Sequence, residues 1–266
     1  MIDFEFEFQY AEEKTPALRQ TGGSIPKGRC IVLCGGSGCG KSTLLRSING
    51  LIPQFYEGEL KGFCRLNGRD TAGLSIGEIG ELAASVFQDP RSQFFTVNSS
   101  NEVAFGLENH GMPQEKIRRR VDEAFSVFHL ERLKNRNVYE LSSGERQLIS
   151  ILSAWALDTD IFLLDEPTAN LDYGNSCRVM ERVKKLGQTG YTIIFSTHDP
   201  NQAFSYATKV LALKDGGVMA VGAPEAVLTQ AVLSRLYGIP VARCEMETAF
   251  GRKTICMPVP GGTEGA

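Results

Sequence analysis

The chain has 266 residues and a formal net charge of −3, and 42% of its residues are hydrophobic and 22% charged. This composition is typical of a globular protein that can bury one or two substantial cores. No apolar run approaches the roughly 18 residues of a membrane-spanning helix, and no long basic block indicates nucleic acid as a partner. The seven cysteines show no paired metal-ligand spacing, and we expect them to be reduced.

Alternating acidic and apolar residues along the first ten positions predict a half-buried strand that contains Phe4, Phe6, Phe8 and Tyr10. The pattern lacks the basic start and apolar core of a secretion signal, so we expect the protein to stay in the cytoplasm. Tyr10 ends this strand, where its ring either packs in the core or stacks on a nucleotide base.

A glycine-rich turn follows the short apolar run Cys30-Ile31-Val32-Leu33 and precedes a second apolar stretch. The turn fits the phosphate-binding pattern of Gly, four residues, Gly, Lys and Ser or Thr, and its position between a strand and a helix is the one such a loop needs. The candidate residues are Gly35, Gly36, Ser37, Gly38, Cys39, Gly40, Lys41, Ser42 and Thr43.

The residue types of this loop predict a polyphosphate site. Glycines let the backbone turn successive N–H groups toward phosphate oxygens at a helix N-terminus. Lys41 would bring a positive charge to the β and γ phosphates, and the Ser42 hydroxyl would complete the ligand shell of Mg²⁺. Alkylation or oxidation of Cys39 would block the loop. The alternative is a glycine-rich turn that binds no ligand.

The region from about residue 98 to 158 is predicted to be helical, with apolar residues at helical spacing between Gln114 and Leu133. Four residues precede a strongly apolar helix near the end of this region, namely Ser142, Ser143, Gly144 and Glu145. Backbone N–H groups, hydroxyls and the positive end of the helix dipole would converge there on a ligand. Capping of the helix by the two serines is the alternative interpretation.

Polar residues end three apolar runs that are predicted to be strands: Gln88, the pair Asp165-Glu166, and His198. In an open parallel sheet, ligands gather at the edge where the carboxyl ends of the strands meet. Asp165 could hold Mg²⁺ through its water shell, and Glu166 could orient or deprotonate a water. The Gln88 amide could bind Mg²⁺ or a water, and His198 could bond a γ-phosphate oxygen. A solvated strand edge and an ordinary histidine are the alternatives for these last two residues.

The order of these motifs, from Tyr10 to about Gly222, resembles that of the ATP-binding-cassette (ABC) ATPases, the motor subunits of ABC transporters. The resemblance implies an α/β fold with a P-loop NTPase core, in which a mostly parallel sheet is flanked by helices. It also implies an N-terminal antiparallel β subdomain and an inserted α-helical signature subdomain. The ABC ATPase domain would cover residues 1–237, with the signature subdomain at about 91–158, and a C-terminal tail, partly disordered, would cover 238–266. Within that tail, poor order is expected at Pro258, Pro260, Gly261 and Gly262.

The resemblance further implies ATP and Mg²⁺ as cofactors and a role for each motif. Catalysis would depend on Glu166, His198 and Gln88, whereas Mg²⁺ would be held by Ser42, Gln88 and Asp165. Nucleotide binding would involve a larger set, which comprises Tyr10 as the adenine-stacking aromatic, the loop from Gly35 to Thr43, the signature residues Ser142, Ser143, Gly144 and Glu145, and Asp172 as the D-loop aspartate.

One phosphate loop and one signature per chain imply, by the same resemblance, that two cassettes pair head to tail. Ser142 and the Gly144 N–H would then reach the γ-phosphate bound at Lys41 of the partner subunit, which is the same or a homologous ABC ATPase chain. Integral membrane transport subunits would contact the segment from Gln88 to Phe95, at the cytoplasmic face of the cell membrane. Phe94 and Phe95 either anchor a membrane partner or pack within the helical subdomain.

The importer type has two candidates. The signature carries Ser143 and Glu145 where the commonest family pattern has Gly and Gln, and with other segments it is similar to ATPases of energy-coupling-factor importers for vitamins or transition-metal ions. The stretch from Ala223 to Val241 is instead similar to ATPases of siderophore, haem and cobalamin importers.

Two other classes of function make different predictions. A soluble ABC ATPase that works on ribosomes or in DNA repair would be expected to carry two cassettes or a long coiled-coil insertion, and the sequence has neither. A binding module without catalysis would be expected to lack Glu166 or His198, and both residues are present.

Overall fold

The computed structural model describes residues 1–249 and 251–259. The strands are β1 (Ile2–Tyr10), β2 (Leu18–Ile25), β3 (Cys30–Cys34), β4 (Gly58–Leu66), β5 (Arg69–Asp70), β6 (Ala83–Val86), β7 (Ile161–Leu164), β8 (Thr192–Thr197), β9 (Lys209–Lys214), β10 (Gly217–Gly222), β11 (Val241–Thr248) and β12 (Gly251–Pro258). The helices are α1 (Lys41–Ile48), α2 (Leu51–Gln54), α3 (Ile76–Gly80), α4 (Ser99–Asn109), α5 (Gln114–Val127), α6 (Ser143–Ala156), α7 (Tyr173–Gln188), α8 (Pro200–Tyr206), α9 (Pro224–Val227) and α10 (Gln230–Tyr237). Within the described ranges, no helix combines the length and the apolar character that crossing a bilayer requires.

The N-terminal part forms an antiparallel sheet in the order β2-β1-β4-β5. Phe4, Phe6 and Phe8 of β1 are buried, whereas Glu5 between them is exposed, which confirms the predicted half-buried strand. The three rings share a hydrophobic core with Leu44 and Ile48 of α1. The N-terminal sheet is therefore packed directly against the helix that follows the glycine-rich loop.

The central sheet has the strand order β10-β9-β3-β8-β7-β6. All pairs from β9 to β6 are parallel, and only β10 at the edge is antiparallel. Every residue of β3, β7 and β8 is buried, as expected for continuous apolar runs with both faces covered. The carboxyl ends of β3, β6, β7 and β8 therefore meet at one edge, where the glycine-rich loop, Gln88, Asp165-Glu166 and His198 follow them.

Between β6 and β7 the chain forms a helical subdomain from α4, α5 and α6. Ile117, Val121 and Phe125 of α5 are buried at the spacing that the sequence predicts. The α-helix nevertheless ends at Val127, earlier than the predicted apolar repeat, because His129 has a φ of 53° that breaks the helical path. A 3₁₀ turn at Glu131–Leu133 completes the segment. The predicted α/β architecture, with its antiparallel N-terminal sheet, is confirmed.

Within the predicted C-terminal tail, β11 and β12 form a β hairpin, which the sequence analysis did not predict. Val241 and Cys256 are buried in the main core. The side chain of Asn201 on α8 accepts a hydrogen bond from the Cys256 N–H at 2.8 Å and donates one to its carbonyl at 3.2 Å. These contacts attach the hairpin to the domain. Pro258 is the last residue of β12, whereas Pro260, Gly261 and Gly262 lie outside the described residues.

Candidate functional site

The glycine-rich loop joins β3 to α1 in a path that depends on two glycines. Gly40, the residue before α1, has a φ of 102°, and a Cβ there would lie 2.8 Å from the Ala17 carbonyl oxygen. A Cβ at Gly35 would lie 2.3 Å from the Leu213 carbonyl oxygen. No side chain caps α1 and its first turn has no acidic residue, so its first N–H groups have no side-chain acceptor and could bind an anion.

Lys41 is a buried cation, with 5% of its surface exposed. Its Nζ donates hydrogen bonds to the carbonyl oxygens of Gly35 and Gly36, both at 3.0 Å, and lies 3.6 Å from Glu166 Oε1. A buried ammonium group needs close acceptors to offset its desolvation. The loop thus holds a positive charge beside the α1 N-terminus, which suits a polyphosphate.

Asp165 lies at the centre of a buried hydroxyl network. The hydroxyls of Ser42 and Ser196 both donate to Asp165 Oδ1, at 3.0 and 2.7 Å. Ser196 Oγ also accepts a hydrogen bond from the Glu166 N–H at 2.8 Å. Carboxylate and hydroxyl oxygens are the ligand type that Mg²⁺ prefers, so these donors fit the predicted metal site.

Ser196 was not predicted as a site residue. It is fully buried in β8, two positions before His198, and it links Asp165 to the backbone of Glu166. A small hydroxyl residue near the end of an otherwise apolar strand is the signal that could have identified it, because buried hydroxyls need hydrogen-bond partners.

The carboxylate of Glu166 is approached by side chains from three other segments of the chain. Gln88 Nε2 donates to its Oε2 at 3.4 Å, His198 Nδ1 lies 3.5 Å from the same oxygen, and Lys41 Nζ approaches Oε1. The side chain of Glu166 is 17% exposed, so it is largely but not completely buried. Its backbone has a φ of 43°, a conformation that costs free energy in a residue with a side chain and is common at functional sites.

The signature residues form the start of α6. Ser142 Oγ accepts the Glu145 N–H at 3.2 Å, and Glu145 Oε2 accepts the Ser142 N–H at 3.0 Å, which is a capping box. Burial tends to raise the pKa of Glu145, but hydrogen bonds from Ser142 and Arg132 outweigh this effect, and the pKa lies below its ordinary value. The capping interpretation therefore describes Ser142 as it stands in this chain.

Asp172 caps α7, the helix whose Asn175 contacts the signature. Its two carboxylate oxygens accept hydrogen bonds from the backbone and side-chain N–H groups of Asn175, at 2.8 and 2.7 Å. These bonds hold the pKa of Asp172 below its usual range. The Asn175 side chain also packs on Gly144, where a Cβ would lie 2.5 Å from Asn175 Cγ.

The signature and the glycine-rich loop do not meet within the chain. Among residues 1–249 and 251–259, no hydrogen bond or ion pair joins residues 142–145 to residues 35–43. Asp172 likewise bonds to Asn175 rather than to the loop. The predicted residues thus form two groups, one around Glu166 and Lys41 and one at the start of α6.

Tyr10 lies beside the first turn of α1. Its hydroxyl forms a hydrogen bond with Thr43 Oγ1 at 3.2 Å, and its ring stands edge-on to Phe8 at a centroid distance of 4.7 Å. Tyr10, Gly38, Gly40 and Thr43 line a cavity of about 530 Å³. Ligand pockets commonly have volumes of about 300–1,000 Å³. A nucleoside would fit beside the loop at this position.

A family model described as ABC transporter matches residues 18–169, which is more than half of the chain. The chain belongs to the ABC transporter family of ATP-binding proteins. An ABC transporter ATP-binding protein of Treponema denticola is 40% identical over 211 residues, which cover 79% of this chain and 43% of that relative. An energy-coupling factor transporter ATP-binding protein EcfA2 of Methanospirillum hungatei is 34% identical over 88% of this chain and 57% of its own length. The chain thus spans about half of the length of these relatives.

Solved structures with the same fold include three ABC proteins. CbiO1 of Clostridium perfringens, part of the ABC transporter complex CbiONQ, has a TM-score of 0.76 and 29% identity, and the match covers 88% of this chain and 92% of that one. An inward-facing metal-chelate type ABC transporter has a TM-score of 0.79 and 26% identity over 98% of both chains. The dimeric ATP-binding cassette MJ0796 with ADP and Pi has a TM-score of 0.71 and 27% identity over 84% of this chain and 99% of that one.

Proposed function

We propose that this ABC protein is the ATP-binding and ATP-hydrolysing subunit of an importer of the energy-coupling-factor type, which carries a vitamin or a metal ion. The observation that supports hydrolysis most directly is the convergence of Gln88, His198 and Lys41 on the carboxylate of Glu166. A purely nucleotide-binding module would have no use for a carboxylate held by three polar side chains from separate segments.

ATP would bind with its phosphates against the α1 N-terminus and Lys41. The adenine ring would lie in the cavity lined by Tyr10 and stack on its ring. Ser42, Asp165 and Gln88 would hold Mg²⁺, which supplies charge neutralisation for the phosphate oxygens when it is bound. Lys41 would exchange its bonds with the loop carbonyls for bonds with phosphate oxygens, which are stronger because both partners are charged.

Hydrolysis would follow from the position of Glu166. Its carboxylate would orient a water and accept a proton as the water oxygen bonds to the γ-phosphorus and the bond to the bridging oxygen breaks. Gln88 would hold the carboxylate in place, and His198 would donate to a γ-phosphate oxygen. The buried hydroxyl of Ser196 supports this arrangement through its bonds to Asp165 and the Glu166 N–H.

A second ABC subunit would complete the site. Ser142, Gly144 and Asp172 are separated from the loop of their own chain, so their proposed contact with ATP requires a neighbouring cassette in a head-to-tail dimer. The dimeric MJ0796 structure, with ADP and Pi, supports this arrangement by its similarity. The partner chain is the same or a homologous ABC ATPase.

Membrane subunits would contact the surface that follows Gln88. Phe95 is 73% exposed and its ring stacks on Phe105 at 4.8 Å, whereas Phe94 is partly buried against the main core. An exposed aromatic side chain is a common anchor in protein interfaces. We therefore assign the docking role to Phe95 and the packing role to Phe94. Docking there would hold the ATPase at the cytoplasmic face of the membrane.

The energy-coupling-factor type is supported by the similarity to EcfA2 and to CbiO1. A second candidate, an importer of a siderophore, haem or cobalamin, is favoured by one specific observation. The match to the metal-chelate type transporter covers 98% of both chains, so it must include at least part of the β11–β12 hairpin. Coexpression with integral membrane subunits and measurement of substrate-stimulated ATP hydrolysis would separate the two types.

Glu166→Gln tests the central proposal. Without a carboxylate to accept the proton, steady-state ATP hydrolysis is expected to fall by about 10²–10⁴-fold. ATP binding should persist, because Lys41 and the α1 N-terminus are unchanged, and the variant should accumulate as an ATP-dependent dimer in light scattering. Unchanged turnover in the variant would refute the role of Glu166.

A further inference from the structure

A second polar cavity, of about 410 Å³, lies between three functional segments and outside the nucleotide pocket. Its walls come from Gln88 and the 3₁₀ turn at Pro90–Ser92, from the first turns of α6, and from residues 169–171. Gln88 belongs to this cavity and also donates to Glu166, so the cavity adjoins the proposed reaction centre.

One buried hydrogen-bond donor in the cavity wall has no acceptor. Gln147 is 1% exposed, and its Nε2 has no hydrogen-bond partner within the described ranges. A buried amide N–H without a partner costs free energy, so such a group indicates a missing acceptor. Gln147 is the only cavity residue of this kind among those that the structure describes.

Two guanidinium groups add positive charge to the same cavity. Arg146 is buried and donates to the Leu141 carbonyl and to Ser143 Oγ at 3.4 Å, but it has no ion pair in the described part of the chain. Arg91 also lacks an ion pair there. Burial lowers the pKa of Arg146, the nearby Arg91 lowers it further, and Asp89 opposes both effects.

The one carboxylate of the cavity does not neutralise this charge. Asp89 Oδ1 accepts the Arg91 N–H at 3.0 Å and caps the 3₁₀ turn, so part of its acceptor capacity is used locally. Two guanidinium groups and one carboxylate leave a net positive charge. The five donors of a guanidinium also exceed the bonds that Arg146 makes within the chain.

The presence of polar residues on three walls suits a tetrahedral oxyanion. Arg91 approaches from the 3₁₀ turn, Arg146 and Gln147 from α6, and Asn170 from the third wall. A planar carboxylate presents its oxygens on one side, whereas phosphate presents acceptor oxygens in every direction. Phosphate is also a preferred partner of paired arginines because of charge-assisted hydrogen bonding.

We propose that this cavity binds inorganic phosphate, held by Arg91, Arg146 and Gln147, and that it receives the phosphate released at Glu166. The source of the phosphate depends on the proposed ATP hydrolysis, but the binding itself does not. Bound phosphate would connect the turn after Gln88 to the start of α6 and would slow the next turnover as a product inhibitor.

Thermal unfolding of the full chain in added inorganic phosphate tests the proposal. The glycine-rich loop is a competing phosphate site, so the measurement is made in Lys41→Ala as well as in the native chain. At about ten times the Kd, we expect the Tm of both proteins to rise by about 2–5 °C. Sodium chloride at equal ionic strength is the control and should not reproduce the rise.

Two variants locate the site. Both are made in the Lys41→Ala chain, which lacks the competing site. Gln147→Leu removes the donor that lacks a partner, so its Tm in phosphate-free buffer should equal or exceed that of Lys41→Ala alone, and its phosphate-dependent rise should disappear. Arg91→Gln should weaken phosphate binding at least tenfold, whereas Arg119→Gln, which removes an exposed arginine elsewhere in the helical subdomain, should have no effect.

Three results would overturn the proposal. They are the absence of any phosphate-dependent rise, a rise confined to chains that retain Lys41, and an equal rise in Lys41→Ala with and without Gln147→Leu. If Lys41→Ala does not fold, titration calorimetry of the native chain with phosphate in excess non-hydrolysable ATP analogue gives the same test. Unchanged turnover in Glu166→Gln would refute the proposed hydrolysis and leave phosphate binding intact, so the two proposals fail separately.

Discussion

The N-termini of α1 and α6 carry the two halves of the proposed ATP site, and they are built in opposite ways. At α1 no side chain caps the helix, no acid lies in the first turn, and the ammonium group of Lys41 lies beside it. At α6 the capping box of Ser142 and Glu145 already supplies a hydroxyl and a carboxylate to the free N–H groups. The α1 terminus therefore has an unmet positive potential, whereas that of α6 is largely satisfied within the chain.

This difference indicates a division of labour between the two termini. The α1 terminus should bind the phosphates of ATP in the isolated chain. The α6 terminus should contribute little to ATP binding in one subunit and should act through the Ser142 hydroxyl once a neighbouring subunit brings ATP to it. Substitutions at the two termini should consequently differ in size and in the quantity that they change.

Lys41→Ala should have the largest effect. Loss of two charge-assisted hydrogen bonds to phosphate, each worth about 1.5–3 kcal/mol, should weaken Mg-ATP binding by at least about 100-fold. Titration calorimetry measures the change, and Lys61→Ala, which removes a lysine that is 62% exposed on β4, is the matched control. Equal affinities of Lys41→Ala and the native chain would break the comparison.

Ser142→Ala should have an intermediate effect on two quantities. Loss of the cap should cost about 0.5–2 kcal/mol and lower the Tm by a few degrees. Hydrolysis should fall by about tenfold or more, while the affinity of one subunit for ATP stays unchanged. Ser75→Ala is the matched control, because Ser75 and Glu78 form a capping box on α3. It should lower the Tm without changing hydrolysis; a similar loss of hydrolysis would assign the Ser142 effect to stability alone.

Glu145→Gln should have a small effect that depends on pH. The pKa of Glu145 is lowered in the folded chain, so its contribution to stability is present above the unfolded pKa of about 4.3 and is lost as the pH falls through the folded value. At neutral pH the variant should lose at most about 1 kcal/mol, mainly the ion pair with the exposed Arg132. Unfolding curves at several pH values should show that the difference in the free energy of unfolding between the native chain and Glu145→Gln becomes smaller in acid. A difference that becomes larger in acid would contradict the prediction.

Cys39 should react slowly with iodoacetamide. The change in its labelling rate with Mg-ATP is the smallest effect that we expect. Its side chain is 7% exposed, and burial raises the pKa of its thiol, so little thiolate is present near neutral pH. The exposed Cys244 should react first, as peptide mass spectrometry would report. Mg-ATP should slow the labelling of Cys39 further and leave Cys244 unchanged. Labelling of Cys39 that is insensitive to ATP would mean that nucleotide does not cover the loop.

Local patterns in the sequence determined much of this molecule. The alternation in β1, the apolar runs of β3, β7 and β8, and the spacing from Gly35 to Ser42 are short-range features, because they reflect which face of an element is buried and which dihedral angles a turn requires. The order of the motifs along the chain resembles that of the ABC ATPases, and this resemblance implied the α/β fold. The positions of the polar residues at the ends of apolar runs predicted which strand ends would meet at one edge of the sheet.

Tertiary structure alone decided the contacts between distant segments. The bonds of Ser196 to Asp165 and Glu166, the packing of Asn175 on Gly144, and the unpartnered amide of Gln147 each depend on how separate elements are arranged. The β11–β12 hairpin likewise depends on α8, whose Asn201 completes its hydrogen bonds. The sequence shows that a side chain can form hydrogen bonds, but it does not show which distant residue will be its partner. Periodicity reports only which face of a helix or strand is buried. The partner is decided by how the whole chain packs.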